Sequence, residues 1–246
     1  MKRILIATIA ALATQVADAQ VKEGKIIYER KVDMHRRLGP EQENMKNMLP
    51  QFNTSKAELT FSESASIFKN VEEEEDIRES AGQDGDRMFV RRFGGGDNQM
   101  YKNYATQKAI EQRELGPKKY IIEDSVRKWA WKLDDSETKT IKGYKCHKAT
   151  TKAPQGEVVA WYTNQITCPG GPDNWGGLPG MILEVNVNDN EMVYTPLEIT
   201  DKSDAKLVKA PSDGKKITRK EFQKMMEEQF GPGAGSGSPQ IRIIRQ

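Results

Sequence analysis

A dense cluster of turn residues constrains this chain most, because it restricts the backbone before any packing is considered. Residues 176–180 read Gly-Gly-Leu-Pro-Gly, and the apolar segment 181–185, Met-Ile-Leu-Glu-Val, follows without a spacer. Proline holds φ near −65°, and the glycine after it accepts the positive φ that position i+2 of a type II turn requires. An apolar run bounded by such residues is typical of a strand. We therefore predict a tight turn that leads directly into a strand.

The side chains around this turn have two interpretations. In the first, they only fasten the turn to the core. In the second, they form the rim of a ligand pocket, and the candidate rim residues are Trp161, Trp175, Leu178, Pro179 and Met181. The same choice applies to all four tryptophans, which either line an apolar cavity or pack in the core of a sheet: Trp129, Trp131, Trp161 and Trp175. The sequence leaves both interpretations open.

Short alternating segments recur along most of the chain and indicate strands. Ala57, Leu59 and Phe61, for example, alternate with polar residues, which is the pattern of a strand with one buried face. Similar short segments follow at close spacing, with no helical pattern between them. This favours a mainly β (α+β) fold built on an antiparallel sheet.

One amphipathic helix is predicted at 218–230. Residues 218–221 read Thr-Arg-Lys-Glu, which is a capping box in which the Thr and Glu side chains satisfy free backbone amides. The apolar residues that follow lie on one helix face: Phe222, Met225, Met226 and Phe230. We expect this face to cover the sheet, with a lipid-facing or partner-facing surface as the alternative.

The first nineteen residues, 1–19, have the pattern of a secretory signal peptide. Lys2 and Arg3 precede the apolar stretch 4–12, and Ala-Asp-Ala at 17–19 fits the small-x-small cleavage pattern. This predicts export to the periplasm or outer envelope. No cysteine follows the apolar stretch, so we expect no lipid at the N-terminus. No later segment is apolar enough to predict a transmembrane segment in the mature chain.

The remaining sequence suggests a single β-rich domain at 20–230 with two unusual stretches. The acidic and Gly-rich region 72–97 is predicted to be a long loop, whose acidic run is either solvated or a calcium site. The stretch 231–246 combines a Gly/Ser/Pro linker with a short β-prone ending. We predict a flexible tail that either adds a strand to a sheet edge or stays without order.

Charge and motifs exclude several classes of function. Lysine and arginine number 38 against 36 acidic residues, and this near-neutral balance argues against a nucleic-acid binder. The signatures Gly-x-Ser-x-Gly, His-Glu-x-x-His and the phosphate loop are missing. The sequence therefore predicts no catalytic residue, cofactor site or metal ligand. A non-enzyme is favoured, and an unfamiliar hydrolase is the less favoured alternative.

The chain contains two cysteines, Cys146 and Cys168. In an exported protein an isolated pair usually forms a disulfide, and we predict one here. The alternatives are two free thiols or a two-thiolate metal site. A metal site would need further ligands, and the histidines available are His35 and His147.

Four motifs in order connect the chain to a known family. They are Gly143-Tyr144-Lys145-Cys146, Ala160-Trp161-Tyr162-Thr163, Gly171-Pro172 and the hexapeptide at 177–182. With these motifs the chain resembles the GLPGLI family, exported proteins of Gram-negative bacteria, with Met181 in place of the leucine in the name. The resemblance implies an envelope location and a β-rich fold but no established activity.

A weaker resemblance concerns the fold alone. An exported antiparallel sheet beside a helix is similar to the periplasmic lipoprotein-carrier fold, an incomplete barrel or half-barrel that holds acyl chains. It implies non-enzymatic binding of a lipid-like or apolar ligand, which is our leading hypothesis. The alternative is an accessory protein of an outer-membrane or surface complex, which docks through residues 231–246 or a sheet edge.

Overall fold

The computed structural model describes residues 20–47, 49–71, 80–81, 87–88, 98–203 and 205–230. The predicted signal peptide 1–19, most of the predicted loop 72–97 and the predicted tail 231–246 lie outside these ranges. Within them, no helix combines the length and the apolar character that crossing a membrane requires.

Strands dominate the described part of the chain. In chain order they are β1 (Gly24–Asp33), β2 (Phe52–Phe61), β3 (Ala65–Asn70), β4 (Ser80–Ala81), β5 (Arg87–Met88), β6 (Gln99–Asn103), β7 (Lys108–Leu115), β8 (Lys118–Ser125), β9 (Lys132–Ile141), β10 (Tyr144–Ala153), β11 (Gly156–Thr163), β12 (Met181–Val187), β13 (Met192–Thr200) and β14 (Lys215–Ile217). The helices are α1 (Arg219–Phe230) and three short 3-10 turns at His35–Arg37, Pro40–Asn47 and Ala205–Leu207.

Twelve of these strands form one sheet in the order β14-β8-β7-β6-β3-β2-β1-β13-β12-β11-β10-β9. Neighbours pair antiparallel, except that β14 runs parallel to β8. The short strands β4 and β5 pair with each other. β14 and β9 are the two edges and do not close the sheet. The predicted mainly β fold, an open antiparallel sheet with one helix near its C-terminal end, is confirmed.

One face of the sheet carries the main hydrophobic core, and we call it the core face. Side chains alternate along each strand, so β1 contributes Ile26 and Tyr28, and β2 contributes Leu59 and Phe61. Residues 168–180, which we call the central loop, pack against this face. Cys168, Trp175 and Leu178 of the central loop are buried within the same core cluster. The loop is therefore part of the core.

The predicted Leu-Pro-Gly turn ends the central loop, but its type differs from the prediction. The amide of Gly180 donates to the carbonyl of Leu178 at 2.7 Å, which closes a three-residue γ-turn centred on Pro179. Gly180 has φ +137°, and a Cβ there would lie 2.1 Å from the carbonyl oxygen of Thr163. Glycine is required because the backbone of the loop passes directly against the end of β11.

Helix α1 begins where the capping box predicts. The amide of Thr218 donates to the Glu221 carboxylate at 2.7 Å, and the amide of Glu221 donates to the Thr218 hydroxyl at 3.1 Å. Phe222 then packs edge-on against Tyr120 of β8, with ring centroids 6.1 Å apart. The helix is thereby joined to the end of the sheet formed by β7 and β8.

An ionic contact shows which face the helix covers. Arg219 donates to Glu111 of β7 at 2.7 Å and to Asp124 of β8 at 2.8 Å. Glu111 lies opposite Met100 of β6, and directly opposed residues point to the same face. Because Met100 belongs to the core cluster, α1 starts on the core face.

Candidate binding site

A buried lysine ties the central loop to the sheet. Met100 and Lys102 are buried, alternate with half-buried neighbours on β6, and both point to the core face. Lys102 is 3% exposed, and its Nζ donates to the carbonyl oxygens of Asp173 at 2.6 Å and Trp175 at 2.9 Å. The amine thus serves two backbone acceptors that would otherwise be buried without partners.

Burial lowers the pKa of Lys102 to about 8, although the negative charge of Asp173 and the nearby Cys168 thiol favour the protonated form. The shift follows from desolvation, because a low-dielectric interior disfavours the charged ammonium. Titratable groups with strongly perturbed pKa values are frequent at functional sites. The lowered pKa of Lys102 therefore makes this part of the core face a candidate functional site.

Three buried tyrosine hydroxyls are also hydrogen-bonded, and one of them, that of Tyr194, bonds to the central loop. Their contacts are Tyr28 to the carbonyl of Ile182 at 2.6 Å, Tyr104 with Ser66 at 2.6 Å, and Tyr194 to the carboxylate of Asp173 at 3.3 Å. Burial raises the pKa of each of these phenols, so they stay neutral near pH 7. These contacts satisfy buried polar groups, and the Tyr194 contact ties the loop to β13.

Two tryptophans outside the central loop, Trp129 and Trp131, pack on Trp175 of the loop, and we call the three together the tryptophan clamp. The Trp129 and Trp175 rings are stacked with centroids 4.4 Å apart, and Trp131 lies 6.3 Å from Trp175. The indole nitrogens of Trp129 and Trp131 donate to the carbonyls of Asn174 and Gly176 at 3.1 and 2.9 Å. The clamp and the loop therefore fix each other.

The clamp also reaches the surface. Trp175 is buried, but Trp129 and Trp131 are half-buried, and Pro179 of the loop is exposed. The exposed guanidinium of Arg127 lies over the Trp129 ring at 4.1 Å from its centroid. This region combines partly exposed aromatic surface, the long cationic side chain of Arg127 and the rigid support of the central loop. Such preorganised aromatic and polar groups are typical of ligand sites.

The five predicted rim residues lie in different environments. Three of them are buried core residues: Trp175, Leu178 and Met181. Pro179 is exposed, whereas Trp161 is half-buried on β11. The Nζ of Lys139 lies 4.4 Å from the centre of the Trp161 ring. The core interpretation thus describes most of the set, and a pocket rim stays a prediction.

The predicted disulfide is not formed, and this prediction is corrected: Cys146 and Cys168 are free, buried thiols. The two thiols face carbonyl oxygens that lie on two different strands. Cys146 Sγ lies 3.5 Å from the carbonyl oxygen of Tyr144 on β10, and Cys168 Sγ lies 4.0 Å from that of Ala65 on β3. Burial raises the pKa of Cys146 to about 11 and that of Cys168 to about 12. Both groups are protonated and shielded.

No metal-binding group replaces the disulfide in the described ranges, where three His, Cys, Asp or Glu side chains never cluster closely enough to hold an ion. The acidic run considered for calcium belongs to the loop 72–97, of which the structure describes two short strands.

Sequence reasoning missed Lys102 and Arg127. The signal for Lys102 was a lysine two residues after Met100 in a predicted strand, where alternation places it on the apolar face. The signal for Arg127 was its position two residues before Trp129, which suits a cation above a ring. Neither pattern identifies the central loop as the partner, because the loop is distant in sequence.

The segment that carries these contacts matches a family of known proteins. The sequence profile described as "N-glycanase peptide, N-terminal domain" matches residues 99–224, slightly more than half of the chain. The chain belongs to this family. The matched segment runs from β6 to α1 and includes Lys102, the tryptophan clamp and the central loop. The resemblance to the GLPGLI family stays a prediction.

Solved structures with a similar fold come from PNGF-II. Two structures of PNGF-II, in space groups C2 and P21, align with TM-scores of 0.55 at 17% and 16% identity. Both alignments cover 83% of this chain but only 32% and 33% of the PNGF-II chains. This chain therefore spans about a third of the length of PNGF-II. At that identity the likeness shows the fold alone.

Two further comparisons add little. A LolA superfamily protein from Nitrosomonas europaea aligns with a TM-score of 0.29 at 6% identity, over 78% of this chain and 92% of that chain. A TM-score this low does not establish a shared fold, so the carrier-like resemblance stays a prediction. The search of curated proteins found no match.

Proposed function

We propose that this chain is a non-enzymatic binding domain that presents the tryptophan clamp to carbohydrate on a polypeptide. One observation carries the proposal: the clamp reaches the surface at Trp129 and Arg127, yet Lys102 and two indole hydrogen bonds hold its support in place. A rigid site loses little conformational entropy on binding. Aromatic rings offer flat apolar area to a sugar ring, and the guanidinium supplies hydrogen-bond donors.

The family supports this class of ligand. By its name, an N-glycanase acts on N-linked glycans, and the matching profile describes the N-terminal domain of such proteins. The PNGF-II structures contain a domain of this fold within a chain about three times as long. An attached domain with its own aromatic surface is suited to holding a glycosylated polypeptide. We further propose that the chain acts in the periplasm or outer envelope, as the predicted signal peptide suggests.

A matched pair of ligands tests the proposal. Binding of residues 20–246 would be measured by calorimetry to a glycoprotein with one N-linked glycan and to the same polypeptide without it. We expect the glycosylated form to bind roughly tenfold more tightly or better, a difference of about 1.4 kcal/mol. Equal binding of the two forms would contradict the proposal.

Two tryptophan variants identify the surface. Trp129→Ala should remove the preference for the glycosylated form. Trp161→Ala is the matched control, because Trp161 is also half-buried but lies on β11 beside Lys139. Far-UV circular dichroism and thermal unfolding would establish that both variants are folded. If only Trp161→Ala weakens binding, the ligand contacts the predicted rim at β11 and the clamp is not the site.

A second candidate is the binding of a lipid-like or apolar ligand. It is supported by the aromatic and aliphatic wall behind the central loop, which includes Leu59, Phe61 and Phe68. A ligand in contact with this wall would have to displace the loop from Lys102. Native mass spectrometry of gently purified protein, before and after solvent extraction, tests this candidate. A bound mass that leaves on extraction would support it, and a clean apo mass would count against it.

The accessory-protein hypothesis gains nothing from one sheet edge. β9 is an edge strand whose exposed side chains include Lys132, Asp135 and Glu137, and charged edges discourage the addition of another strand. With β9 disfavoured, docking to an outer-membrane partner would use the other edge, β14, or residues 231–246, and the latter are the case to test. Deleting them should abolish capture of such a partner while leaving glycan binding unchanged.

A further inference from the structure

We propose that Lys102 is the positioning residue of the tryptophan clamp: its Nζ holds the central loop on the sheet and thereby sets the position of Trp175, on which Trp129 and Trp131 pack. This inference deepens the proposed function and rests on it for the identity of the ligand. The structural part, from Lys102 to the clamp, can be tested without any ligand.

The hydrogen bonds of the loop fall into two groups. Several connect the loop to itself or to the start of β12, such as Gly177 N to Pro169 O and Ile182 N to Gly170 O, both at 2.9 Å. These bonds shape the loop but do not tie it to β6. Lys102 does so with one amine and two acceptors, at 2.6 and 2.9 Å. The Tyr194 contact to Asp173 is longer, at 3.3 Å.

The position of the two acceptors links the lysine to the clamp. One of them is the backbone carbonyl of Trp175 itself, whose ring stacks on Trp129. The carbonyls of the intervening Asn174 and of Gly176 accept the indole hydrogen bonds of Trp129 and Trp131. The four consecutive residues 173–176 thus accept hydrogen bonds from the lysine and from the two indoles. A shift of this stretch would move all three rings.

Charged and titratable groups surround the amine from several elements. The central loop supplies Asp173 and Cys168, which act on the amine directly. Three tyrosines lie next to these two groups, Tyr28 on β1, Tyr104 just after β6 and Tyr194 on β13. Both forms of Lys102 can serve the loop, since a neutral amine still has two N–H groups for its two carbonyl acceptors. We therefore expect the clamp to keep its geometry on both sides of pH 8.

Lys102→Met tests the inference, because methionine has a similar shape but no donor. Stacked indoles interact in the near-ultraviolet, so circular dichroism there reports the Trp129–Trp175 pair, and Trp129→Phe identifies its signal. We expect Lys102→Met to lose most of this signal while keeping its far-UV spectrum. Exchange of the Gly177 amide proton should accelerate roughly tenfold or more.

Lys118→Met, on the exposed start of β8, is the control and should change neither the near-ultraviolet signal nor the exchange rate. An unchanged signal and unchanged exchange in Lys102→Met would overturn the inference.

The unsubstituted protein provides a second measurement in case Lys102→Met does not fold. Nitrogen-15 NMR of the Lys102 side chain should show protons protected from exchange and couplings across the hydrogen bonds to the carbonyl carbons of Asp173 and Trp175. A rapidly exchanging amine without these couplings would overturn the inference.

Binding to the glycosylated polypeptide separates the two proposals. If Lys102→Met loses both the clamp signal and the glycan preference, both proposals are supported. If the signal is lost and the preference stays, Lys102 positions the clamp but the clamp is not the ligand site. If the signal and the Gly177 exchange both stay unchanged, the inference about Lys102 is wrong and the proposed function stands on its own test.

Discussion

The central loop and helix α1 both cover the core face of the sheet, but they are attached in different ways. The loop is held by buried polar groups, above all Lys102 at 3% exposure. The helix is held by the Arg219 ion pairs and by Phe222, and the side chain of Arg219 is 47% exposed. One cover is continuous with the core and the other is attached at its margin.

This difference in attachment indicates which of the two covers opens more easily. Detaching the loop would expose Trp175 and exchange the buried hydrogen bonds of the loop for bonds to water, at a net cost of about 0.5–1.5 kcal/mol for each bond. Detaching the helix would expose half-buried Phe222, Met225 and Met226 and return charged groups to water. We expect the helix to open locally at a lower free energy than the loop.

The largest expected effect comes from truncating the buried ring of the loop. Trp175→Ala should lower the free energy of unfolding by about 3–5 kcal/mol, because it leaves a cavity and removes the stacking partner of Trp129. Phe222→Ala on the half-buried helix face should cost about 1–2 kcal/mol. Urea unfolding of both variants measures the difference. Equal losses would show that the two covers are attached equally strongly.

The buried lysine should give the loop a pH signature that the helix lacks. Between the folded pKa of about 8 and the unfolded value of 10.5, the unfolded chain holds the Lys102 proton and the folded chain does not, so stability rises with pH. Relative to Lys102→Met, the wild type should gain on the order of 3 kcal/mol across this window. Urea unfolding from pH 7 to 10.5 measures it. Parallel curves for the two proteins would show that Lys102 has an ordinary pKa.

Substitution of two glycines in the loop distinguishes the cost of close packing from the cost of backbone strain. Both have positive φ, but a Cβ on Gly180 would meet the Thr163 carbonyl at 2.1 Å, whereas a Cβ on Gly177 has nothing within 4 Å. We expect Gly180→Ala to destabilise the protein by about 3 kcal/mol and Gly177→Ala by about 1 kcal/mol. Thermal unfolding compares them. If both cost the same, the approach of the loop to β11 is looser than the structure shows.

The smallest expected effect concerns the helix attachment. Arg219→Met leaves the Glu111 carboxylate, whose side chain is 4% exposed, with Arg113 as its remaining ion-pair partner in the described ranges, and should cost about 1–2 kcal/mol. Lys224→Met on the same helix breaks only the exposed pair with Glu228 and should cost less than about 0.5 kcal/mol. Denaturation at low and high salt checks both. A loss for Arg219→Met that matches the control would mean that the helix is held by packing alone.

Local patterns predicted much of the fold. The alternation of Ala57, Leu59 and Phe61 identified β2, and the Thr218–Glu221 capping box identified the start of α1. These features are decided within a few residues, by side-chain period and by capping hydrogen bonds. The site was less predictable. Trp175 was named as a candidate, but its partners Lys102 and Trp129 are more than forty positions away in sequence.

The sequence by itself determined most of the strands, the helix, the tight turn at Pro179 and the mainly β class, because these depend on short-range steric and hydrogen-bonding rules. Only the tertiary structure decided that Cys146 and Cys168 stay free, that Lys102 points into the core, and that three of the four tryptophans form one clamp. The physical reason is register. Strand pairing and its irregularities, such as the bulge between Trp161 and Tyr162, decide which distant side chains share a face, and no local pattern contains that information.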